Sequence, residues 1–389
     1  MRILQLPSWY LPEGGQFCLD QSLALQEQGL EVHILANVVL PWRRYKLSVF
    51  RYPLKSFFAI ENGIPIYRYY SWKYPFVDKL NIEKWTKKTV DLFDEYKEKY
   101  GLPDIIHVHS SMWGGYAASR IKEKYGVPYV ITEHRGIFGV KTKYAKQKFK
   151  KSYKPYLIKA FSNADYIIPV SYQLIGKISE YLTKNVPIKA ISNILDTSYF
   201  YPLGTKVSDK NDRFTFVSVN GFNSVKGYEY LIPAFDKVCK KKQNVYLRIV
   251  GENFEKKQFQ KILKKSNSLH RISFSGELDK EGVREELWKA DAFVIASIVE
   301  SQSVATLEAM STGLPVVGTE VIPADILTEK CGYRVPVENI SKLADGMVKM
   351  VETKSNFDGN EISNYVQPIV SKKEVTHQLI EVYEQVLKK

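Results

Sequence analysis

The chain has 389 residues, 44% hydrophobic and 25% charged, which is the composition of a globular protein of two or three domains. No apolar run approaches the roughly 18 residues of a membrane-spanning helix, so we predict neither a transmembrane segment nor a signal peptide. The net charge of +14 belongs almost wholly to residues 1–200, with 29 Lys and Arg against 17 Asp and Glu, which indicates a polyanionic or membrane-surface partner. Cys18, Cys239 and Cys331 are isolated, which favours a reducing cytoplasm.

The chain opens with a predicted β–α–β unit. Arg2–Leu6 and Val32–Ala36 have the pattern of buried strands, and Leu19–Gln28 between them has a helical pattern. Gly14 and Gly15 fall in the loop after the first strand, where glycine allows close backbone approach to a ligand and tolerates positive φ. A two-glycine turn is also an ordinary turn, so both interpretations stay open.

Two later strands of the first half carry histidines at their carboxyl ends. Asp104–His109 ends in His109, and Pro128–Thr132 is followed by His134 and Arg135. The carboxyl ends of parallel strands are where ligands of such sheets bind. His107 and His109 lie on a buried strand, where histidines more often belong to the core, although His109 is at the end of the strand that faces the ligand. A further strand is predicted for Ile188–Ile191.

Two segments of the first half are basic and aromatic. Residues 40–80 are predicted to be irregular and include Trp42, Arg43 and Arg44, which suits an acceptor surface or ordinary core packing. Lys141–Lys159 holds eight lysines and no acid, interleaved with aromatic residues. This pattern suits an anionic membrane surface, and a solvated basic face is the alternative. The chain shows no recognised nucleic-acid-binding module.

After a polar linker, Gly204–Asp212, the second half restarts with the strand Phe214–Val219 and a loop that ends in Lys226 and Gly227. A helix follows, so Lys226 and the free N–H groups of the helix start could together bind a phosphate. The next strand, Val245–Val250, ends at Gly251.

A second β–α–β unit is predicted within Asp291–Thr319, with strands at Ala292–Ser297 and Pro315–Gly318. The helix between them starts near Val304, and Glu300 precedes it by one turn. Glu308 follows Glu300 by eight residues, about 12 Å if that spacing is helical. Two carboxylates so spaced could hold hydroxyl groups at the two ends of a ligand whose diphosphate lies at the helix start.

The motif consists of Glu300, then Glu308 inside Leu-Glu-Ala-Met, and then Gly-Leu-Pro-Val-Val. It resembles the nucleotide-sugar site of GT-B glycosyltransferases of retaining family 4. Similarity in the correct order runs from residue 1 to about 350. The resemblance implies an α/β fold of two Rossmann-like domains facing across a cleft. The expected division is 1–200 for the acceptor side and 201–370 for the donor side, with residues 371–389 as a helix returning to the first domain.

The resemblance also implies roles for individual residues. His134, Lys226 and Glu300 would be catalytic, and His109 and Arg135 would lie on the acceptor side. The donor would be bound by Gly14, Gly15, Gly221, Lys226, Gly251, Ser301, Gln302, Ser303, Val304 and Glu308. Two positions depart from the family pattern. Gly221 stands where an Arg usually completes the diphosphate clamp, and Ser301-Gln302-Ser303 replaces a glycine-rich loop.

The function implied is transfer of a hexose from a UDP- or GDP-sugar to a hydroxyl of a lipid-linked or oligosaccharide acceptor, in bacterial cell-surface polysaccharide or glycolipid synthesis. No cofactor and no metal are expected, because the sequence has no Asp-x-Asp pair and no His/Cys ligand cluster. The expected location is the cytoplasm or the inner face of the membrane. A nucleotide-sugar epimerase and a catalytically degenerate sugar-nucleotide-binding subunit remain alternatives. A glycoside hydrolase using the two glutamates would leave the phosphate-binding features without a use.

Overall fold

The computed structural model describes residues 1–41, 45, 51–53, 55–73, 77–138, 151–204 and 213–388. The described chain divides into two compact units. Unit 1 comprises Met1–Phe138, Lys148–Ile194 and Lys372–Lys389, and unit 2 comprises Leu195–Ser371. The division therefore lies between Ile194 and Leu195, where the sequence predicted it after residue 200. None of the helices in these ranges is both long enough and apolar enough to cross a bilayer.

Unit 1 is built on a seven-stranded sheet in the order β3-β4-β2-β1-β5-β6-β7, in which only β3 runs antiparallel to its neighbour. The strands are β1 (Arg2–Pro7), β2 (Glu31–Val39), β3 (Phe57–Glu61), β4 (Ile64–Ser71), β5 (Ile105–His109), β6 (Tyr129–Glu133) and β7 (Tyr166–Pro169). The helices described are α1 (Gln16–Glu27), α2 (Asp78–Tyr100), α3 (Tyr116–Tyr125), α4 (Lys154–Ser162), α5 (Ile175–Ser179) and the C-terminal helix (Lys372–Leu387).

Helices cover both faces of this sheet, which is why nearly every residue of its central strands β1 and β5 is buried. One face packs against α2, α3 and α4 around residues such as Phe93 and Phe161. The other face packs against α1 and the C-terminal helix, where Leu25 and Leu379 share a buried cluster with strand residues.

Two sequence predictions in unit 1 are wrong. Residues 40–80 were predicted to be irregular, yet Phe57–Ser71 forms a β-hairpin whose turn is Asn62-Gly63, both with positive φ. Residues 42–44, 46–50, 54 and 74–76 of this stretch lie outside the described residues, and they include Trp42, Arg43 and Arg44. The strand predicted for Ile188–Ile191 is instead an isolated bridge between Ile188 and Ile167.

Unit 2 is built on a six-stranded parallel sheet in the order β10-β9-β8-β11-β12-β13. The strands are β8 (Phe214–Val219), β9 (Val245–Val250), β10 (Ile272–Gly276), β11 (Ala292–Ile295), β12 (Val316–Thr319) and β13 (Gly332–Val335). The helices are α6 (Tyr228–Lys241), α7 (Lys257–Leu263), α8 (Lys280–Lys289), α9 (Val304–Ser311), α10 (Ile340–Thr353) and α11 (Gly359–Val370).

The strand order of unit 2 is that of a doubly wound nucleotide-binding sheet, and it reverses direction between β8 and β11. In unit 1 the corresponding reversal lies between β1 and β5. The loops that follow these strands open a crevice at the reversal, because their helices leave towards opposite faces. The loops after β1, β5, β8 and β11 contain most of the predicted site residues.

Candidate functional site

At the reversal point of unit 2, the loops after β8 and β11 are joined directly. The N–H of Ile298 donates a 2.8 Å hydrogen bond to the carbonyl of Val225. Gly227 caps α6 with φ 68°, and a Cβ at this position would lie 2.0 Å from the carbonyl oxygen of Ala296. Only glycine therefore fits, and it allows the β8 loop to lie against the end of β11.

This contact brings together two of the predicted catalytic residues. The Lys226 Nζ lies 2.7 Å from the Glu300 Oε1, with side chains 24% and 10% exposed. The family resemblance implied a separate role for each residue, and the structure shows them as an ion pair that remains open to the crevice. An ammonium with a single carboxylate contact in a crevice can exchange that contact for a phosphate oxygen of a ligand.

Beside Lys226, unit 2 has a cavity of about 460 Å³. Gly221 lines it, and a Cβ on Gly251 would lie 2.5 Å from the Gly221 nitrogen. Both predicted glycines thus allow the β8 and β9 loops to approach each other. The cavity wall also includes Lys256, an exposed residue just before α7. Lys256 is a second cation that the sequence did not single out, because it lies on a different loop from the Arg that Gly221 replaces.

The segment Ser301-Gln302-Ser303 leads into α9. The Gln302 side chain is only 1% exposed, and Ser303 turns with φ 64° while its Oγ lies 2.8 Å from the Thr306 Oγ1. Two of these three side chains therefore face the protein, whereas Val304 is 41% exposed. The groups that α9 can offer an anion are its free backbone N–H groups and the positive end of its dipole.

Glu308 lies in the middle of α9. Burial raises the pKa of its carboxyl to about 7, and the positive charge of Lys280 opposes this rise. The carboxyl is therefore close to half protonated at neutral pH in the absence of a ligand. A carboxyl of this kind changes its charge when hydroxyl groups donate hydrogen bonds to it.

In unit 1, the predicted diglycine loop leads from β1 into α1. Gly14 and Gly15 have φ of 93° and 85°, and a Cβ on Gly15 would lie 2.5 Å from the carbonyl oxygen of Trp9. The loop conformation therefore requires glycine and presents the backbone of Gly14 at the surface.

Four aromatic rings stack in a row at the ends of β5 and β6. The ring centroids of His107 and His109 are 4.8 Å apart, those of His109 and His134 are 5.3 Å apart, and those of His134 and Phe17 are 3.8 Å apart. The His109 Nδ1 lies 3.0 Å from the His134 Nε2, and the His109 Nε2 lies 2.8 Å from the Gln5 Oε1. The structure thus brings the two predicted histidines together.

Burial lowers the pKa of His134 to about 3, although the Asn193 side chain opposes the shift. Burial also lowers the pKa of His107 to about 3 and that of His109 well below its ordinary value. The row is therefore neutral at physiological pH, so His134 can offer a hydrogen bond but no positive charge. Phe17, which covers one face of His134, was missed because an aromatic residue after a glycine loop carries no sequence signal of its own.

Arg135 follows His134 and turns towards Trp9, with its guanidinium carbon 5.1 Å from the ring centroid. The buried Glu133 shapes this turn, because it accepts hydrogen bonds from the Arg135 N–H at 3.0 Å and from the Ser111 Oγ at 2.6 Å. Burial lowers the pKa of Arg135, and Glu133 opposes the shift.

The basic segment Lys141–Lys159 is described only from residue 151 onward. Lys154 and Lys159 are exposed, whereas Tyr156 and Leu157 are buried in the core of unit 1. Tyr156 and Leu157 are therefore already packed, and the exposed residues of this described part include Lys151, Lys154 and Lys159.

Two family models together match nearly the whole chain. The model described as Glycosyltransferase Family 4 matches residues 14–199, and the model described as Glycosyl transferases group 1 matches residues 205–388. The chain belongs to glycosyltransferase family 4. Its GT-B fold is shared by the sucrose-phosphate synthase of Thermosynechococcus elongatus, which aligns over 100% of both chains with a TM-score of 0.79 and 19% identity. HepE of Anabaena, solved with UDP and glucose, aligns over 99% of this chain and 100% of its own with a TM-score of 0.74 and 16% identity.

Sequence relatives are glycosyltransferases as well. The N-acetyl-alpha-D-glucosaminyl L-malate synthase of Bacillus anthracis is 27% identical over 49% of this chain and 51% of its own length. A putative teichuronic acid biosynthesis glycosyltransferase of Bacillus subtilis is 25% identical over 82% of this chain and 81% of its own. The chain spans about half the length of the malate synthase and of a phosphatidylinositol N-acetylglucosaminyltransferase subunit of Saccharomyces cerevisiae.

Proposed function

We propose that this family member is a retaining hexosyltransferase that uses a UDP- or GDP-sugar as donor. The observation that carries the proposal is the Lys226–Glu300 pair at the reversal point of unit 2, beside a cavity with a second lysine. Doubly wound sheets bind nucleotides at this point, and a diphosphate requires cations there. The UDP bound to HepE, which has the same fold, supports the choice of ligand.

In this proposal, donor binding rearranges the ion pair. The diphosphate takes the ammonium of Lys226 and that of Lys256, and the N–H groups at the start of α9 approach the same phosphates. Glu300, released from Lys226, accepts a hydrogen bond from a hydroxyl of the sugar. Glu308 accepts hydrogen bonds from the ribose hydroxyls. Lys256 thereby fills the role of the Arg that Gly221 replaces.

In the transfer step, the bond between the anomeric carbon and the diphosphate oxygen breaks, and its electron pair leaves with the nucleoside diphosphate. The acceptor oxygen forms the new bond on the same face of the sugar, and its proton passes to the departing phosphate. Stabilising the charge that builds up on the diphosphate is then the main task of the protein. The neutral His134 contacts the transferred sugar, and no metal takes part.

A panel of nucleoside diphosphate sugars tests the proposal, with thermal unfolding as the first readout. A donor at 100 times its dissociation constant stabilises the folded protein by about 2.7 kcal/mol. The donor that stabilises is then incubated with and without a glycolipid extract, in the presence of EDTA, and nucleoside diphosphate release and product anomer are followed by NMR. We expect release that depends on acceptor and a product with the donor's anomeric configuration.

An inverted product would refute the retaining mechanism, and a loss of activity in EDTA would refute metal independence. Interconversion of sugars without an acceptor would identify an epimerase. Binding without any turnover would identify a sugar-nucleotide-binding subunit.

We further propose that the acceptor is lipid-linked or an oligosaccharide, within cell-surface polysaccharide or glycolipid synthesis. We also propose that Lys141–Lys159 docks the protein on the cytoplasmic face of an anionic membrane. Each lysine near such a surface contributes about 1 kcal/mol. Because Tyr156 is buried and Tyr153 is half-buried, we expect the binding to rest mainly on charge. Flotation with liposomes should therefore depend on anionic lipid and disappear at high salt. Flotation independent of both would contradict the membrane proposal and identify Lys141–Lys159 as a solvated basic face.

A further inference from the structure

The row of stacked histidines in unit 1 is connected to the C-terminal helix. Tyr383, a fully buried residue of that helix, has its hydroxyl 2.5 Å from the His107 Nδ1. The other ring nitrogen of His107, Nε2, lies 2.7 Å from the Thr132 Oγ1. Both nitrogens of this buried imidazole are therefore hydrogen bonded, and the ring cannot change its tautomer without reversing both contacts.

A buried amide joins Tyr383 to the next histidine of the row. The Oε1 of the fully buried Gln5 lies 2.8 Å from the His109 Nε2. Within the described residues, the Gln5 Nε2 has no hydrogen bond of ordinary geometry. The group on which it acts is the Tyr383 hydroxyl, whose pKa it lowers against the rise caused by burial. The two ends of one amide therefore face Tyr383 and His109.

The direction of these hydrogen bonds follows from the phenol. A phenol is more acidic than a neutral imidazole, so the Tyr383 hydroxyl donates to the His107 Nδ1, and its oxygen is left to accept from the Gln5 amide. The Gln5 Oε1 then accepts from the His109 Nε2–H. Because a neutral imidazole carries one N–H, the His109 Nδ1 is an acceptor, and it receives the Nε2–H of His134 at 3.0 Å.

His134 thus uses its one N–H inside the protein. Its other ring nitrogen, Nδ1, carries a lone pair, so it can accept a hydrogen bond but cannot donate one. The Asn193 side chain lies beside this ring, and an amide can turn either its oxygen or its NH₂ group to a neighbour. Asn193 can therefore follow the tautomer of His134. Reversing one of the buried groups, in contrast, would set donor against donor or acceptor against acceptor.

We propose that Gln5 and Tyr383 are positioning residues that fix His134 in the tautomer with its proton on Nε2, which makes Nδ1 a hydrogen-bond acceptor. The group that Nδ1 recognises is then a hydrogen-bond donor such as a hydroxyl, and not a carboxylate or phosphate oxygen. Assigning this hydroxyl to the transferred sugar rests on the proposed function, whereas the tautomer itself does not. Gln5 and Tyr383 are fully buried, so they act only through the histidines.

Nitrogen NMR of the full chain, with nitrogen-15 only in its histidines, measures the tautomer directly. A protonated and an unprotonated ring nitrogen resonate far apart, and single His→Gln variants assign the signals of the six histidines. At about pH 8 we expect the Nε2–H tautomer of His134 in about thirtyfold excess or more, because the reversed ring would mismatch at least two buried contacts. A wild-type His134 with its proton on Nδ1 would overturn the proposal.

Two variants test the link to the C-terminal helix. Gln5→Met removes the amide at similar side-chain length, and Tyr383→Phe removes the phenol that orients it. In either variant the excess of one His134 tautomer should fall below about tenfold, and one folded variant suffices. Tyr96→Phe is the matched control, because it removes a hydroxyl 3.0 Å from the Nδ1 of another buried histidine, His33. An unchanged His134 in the two variants, or an equal change in the control, would overturn the proposal.

Turnover by the same proteins separates this proposal from the proposed function. Gln5→Met should lower kcat about tenfold and leave nucleotide affinity unchanged, and a changed tautomer with normal kcat would overturn the assignment of the hydroxyl to the transferred sugar. If the tautomers change as expected but no nucleotide sugar is turned over even by wild type, the proposed function fails while this proposal stands. If sugar is transferred but the variants leave the His134 tautomer unchanged, this proposal fails while the proposed function stands.

Discussion

The pKa of Glu308 gives the sharpest prediction about the donor site. Burial raises this pKa from 4.5 to about 7, so at pH 6 about nine-tenths of the ligand-free protein carries a proton on Glu308. If ribose hydroxyls donate hydrogen bonds to the carboxylate, they stabilise its charged form and return the pKa towards 4.5. Nucleotide binding at pH 6 should then release about 0.9 proton from Glu308, and at pH 8 only about 0.1.

The same coupling makes nucleotide affinity depend on pH. Because deprotonation must accompany binding at low pH, the affinity attributable to Glu308 should rise about tenfold between pH 6 and pH 8. The nucleotide's own phosphate also titrates in this range, and its contribution is removed by comparison with Glu308→Gln. Calorimetry at pH 6 in two buffers of different ionisation enthalpy measures the proton count of each protein. Equal proton counts for wild type and variant would refute the assignment of Glu308 to the ribose.

The unliganded protein should show the opposite trend in stability. Between pH 4.5 and 7, folded Glu308 holds a proton that the unfolded chain has lost, so raising the pH favours unfolding. The difference amounts to about 3 kcal/mol across the window, since each pKa unit corresponds to 1.36 kcal/mol. Urea unfolding of Glu308→Gln should lack this decline, and a parallel decline in both proteins would place its origin elsewhere.

Three further predictions concern the loops and the histidine row. Glu300→Gln should bind nucleotide normally but turn over donor at least tenfold more slowly, as measured by steady-state kinetics; normal turnover would remove Glu300 from the site. Gly227→Ala should lower the free energy of unfolding by at least about 2 kcal/mol, because the new Cβ would meet the Ala296 carbonyl. The control Gly276→Ala, at φ 72° with open space around the new Cβ, should lower it by about 1 kcal/mol. Equal losses of the two variants in urea unfolding would contradict the contact with Ala296. Tyr383→Phe should lower the free energy of unfolding by about 1–3 kcal/mol in the same assay, because the Tyr383 hydroxyl lies 2.5 Å from the His107 Nδ1. No loss would mean that this contact is not a stabilising hydrogen bond.

Most of the fold could be predicted from the sequence because the central strands are buried on both faces. Phe214–Val219 and Val245–Val250 were predicted with the bounds that the structure shows, and the helix predicted at 371–389 spans Lys372–Leu387. The hairpin Phe57–Ser71 was missed because its outer strand, β3, lies at the edge of the sheet, alternates half-buried and exposed residues, and has an apolar run of only four residues, Phe57–Ile60. Its Asn62-Gly63 turn was a signal that could have identified it.

The candidate site could be predicted in part. Glycines and charged residues beside predicted strands were visible, and the family resemblance gave them roles. What could not be predicted is which groups meet: the Lys226–Glu300 pair joins residues 74 positions apart, and the second cation, Lys256, comes from the loop of another strand. Such contacts depend on strand order, which local patterns do not reveal.

The central claim is that Lys226 stabilises the diphosphate as it departs, and turnover by Lys226→Ala tests it most directly. Lys240→Ala, at an exposed site in the last turn of α6, is the matched control. Removing one preorganised group of this kind lowers kcat by about 10²–10³, while the affinity for donor should fall by less, because the diphosphate gains its further charge only in the transition state. The account predicts this split for Lys226→Ala and unchanged kinetics for Lys240→Ala. A Lys226→Ala enzyme with kcat within about threefold of wild type and unchanged donor affinity would contradict it.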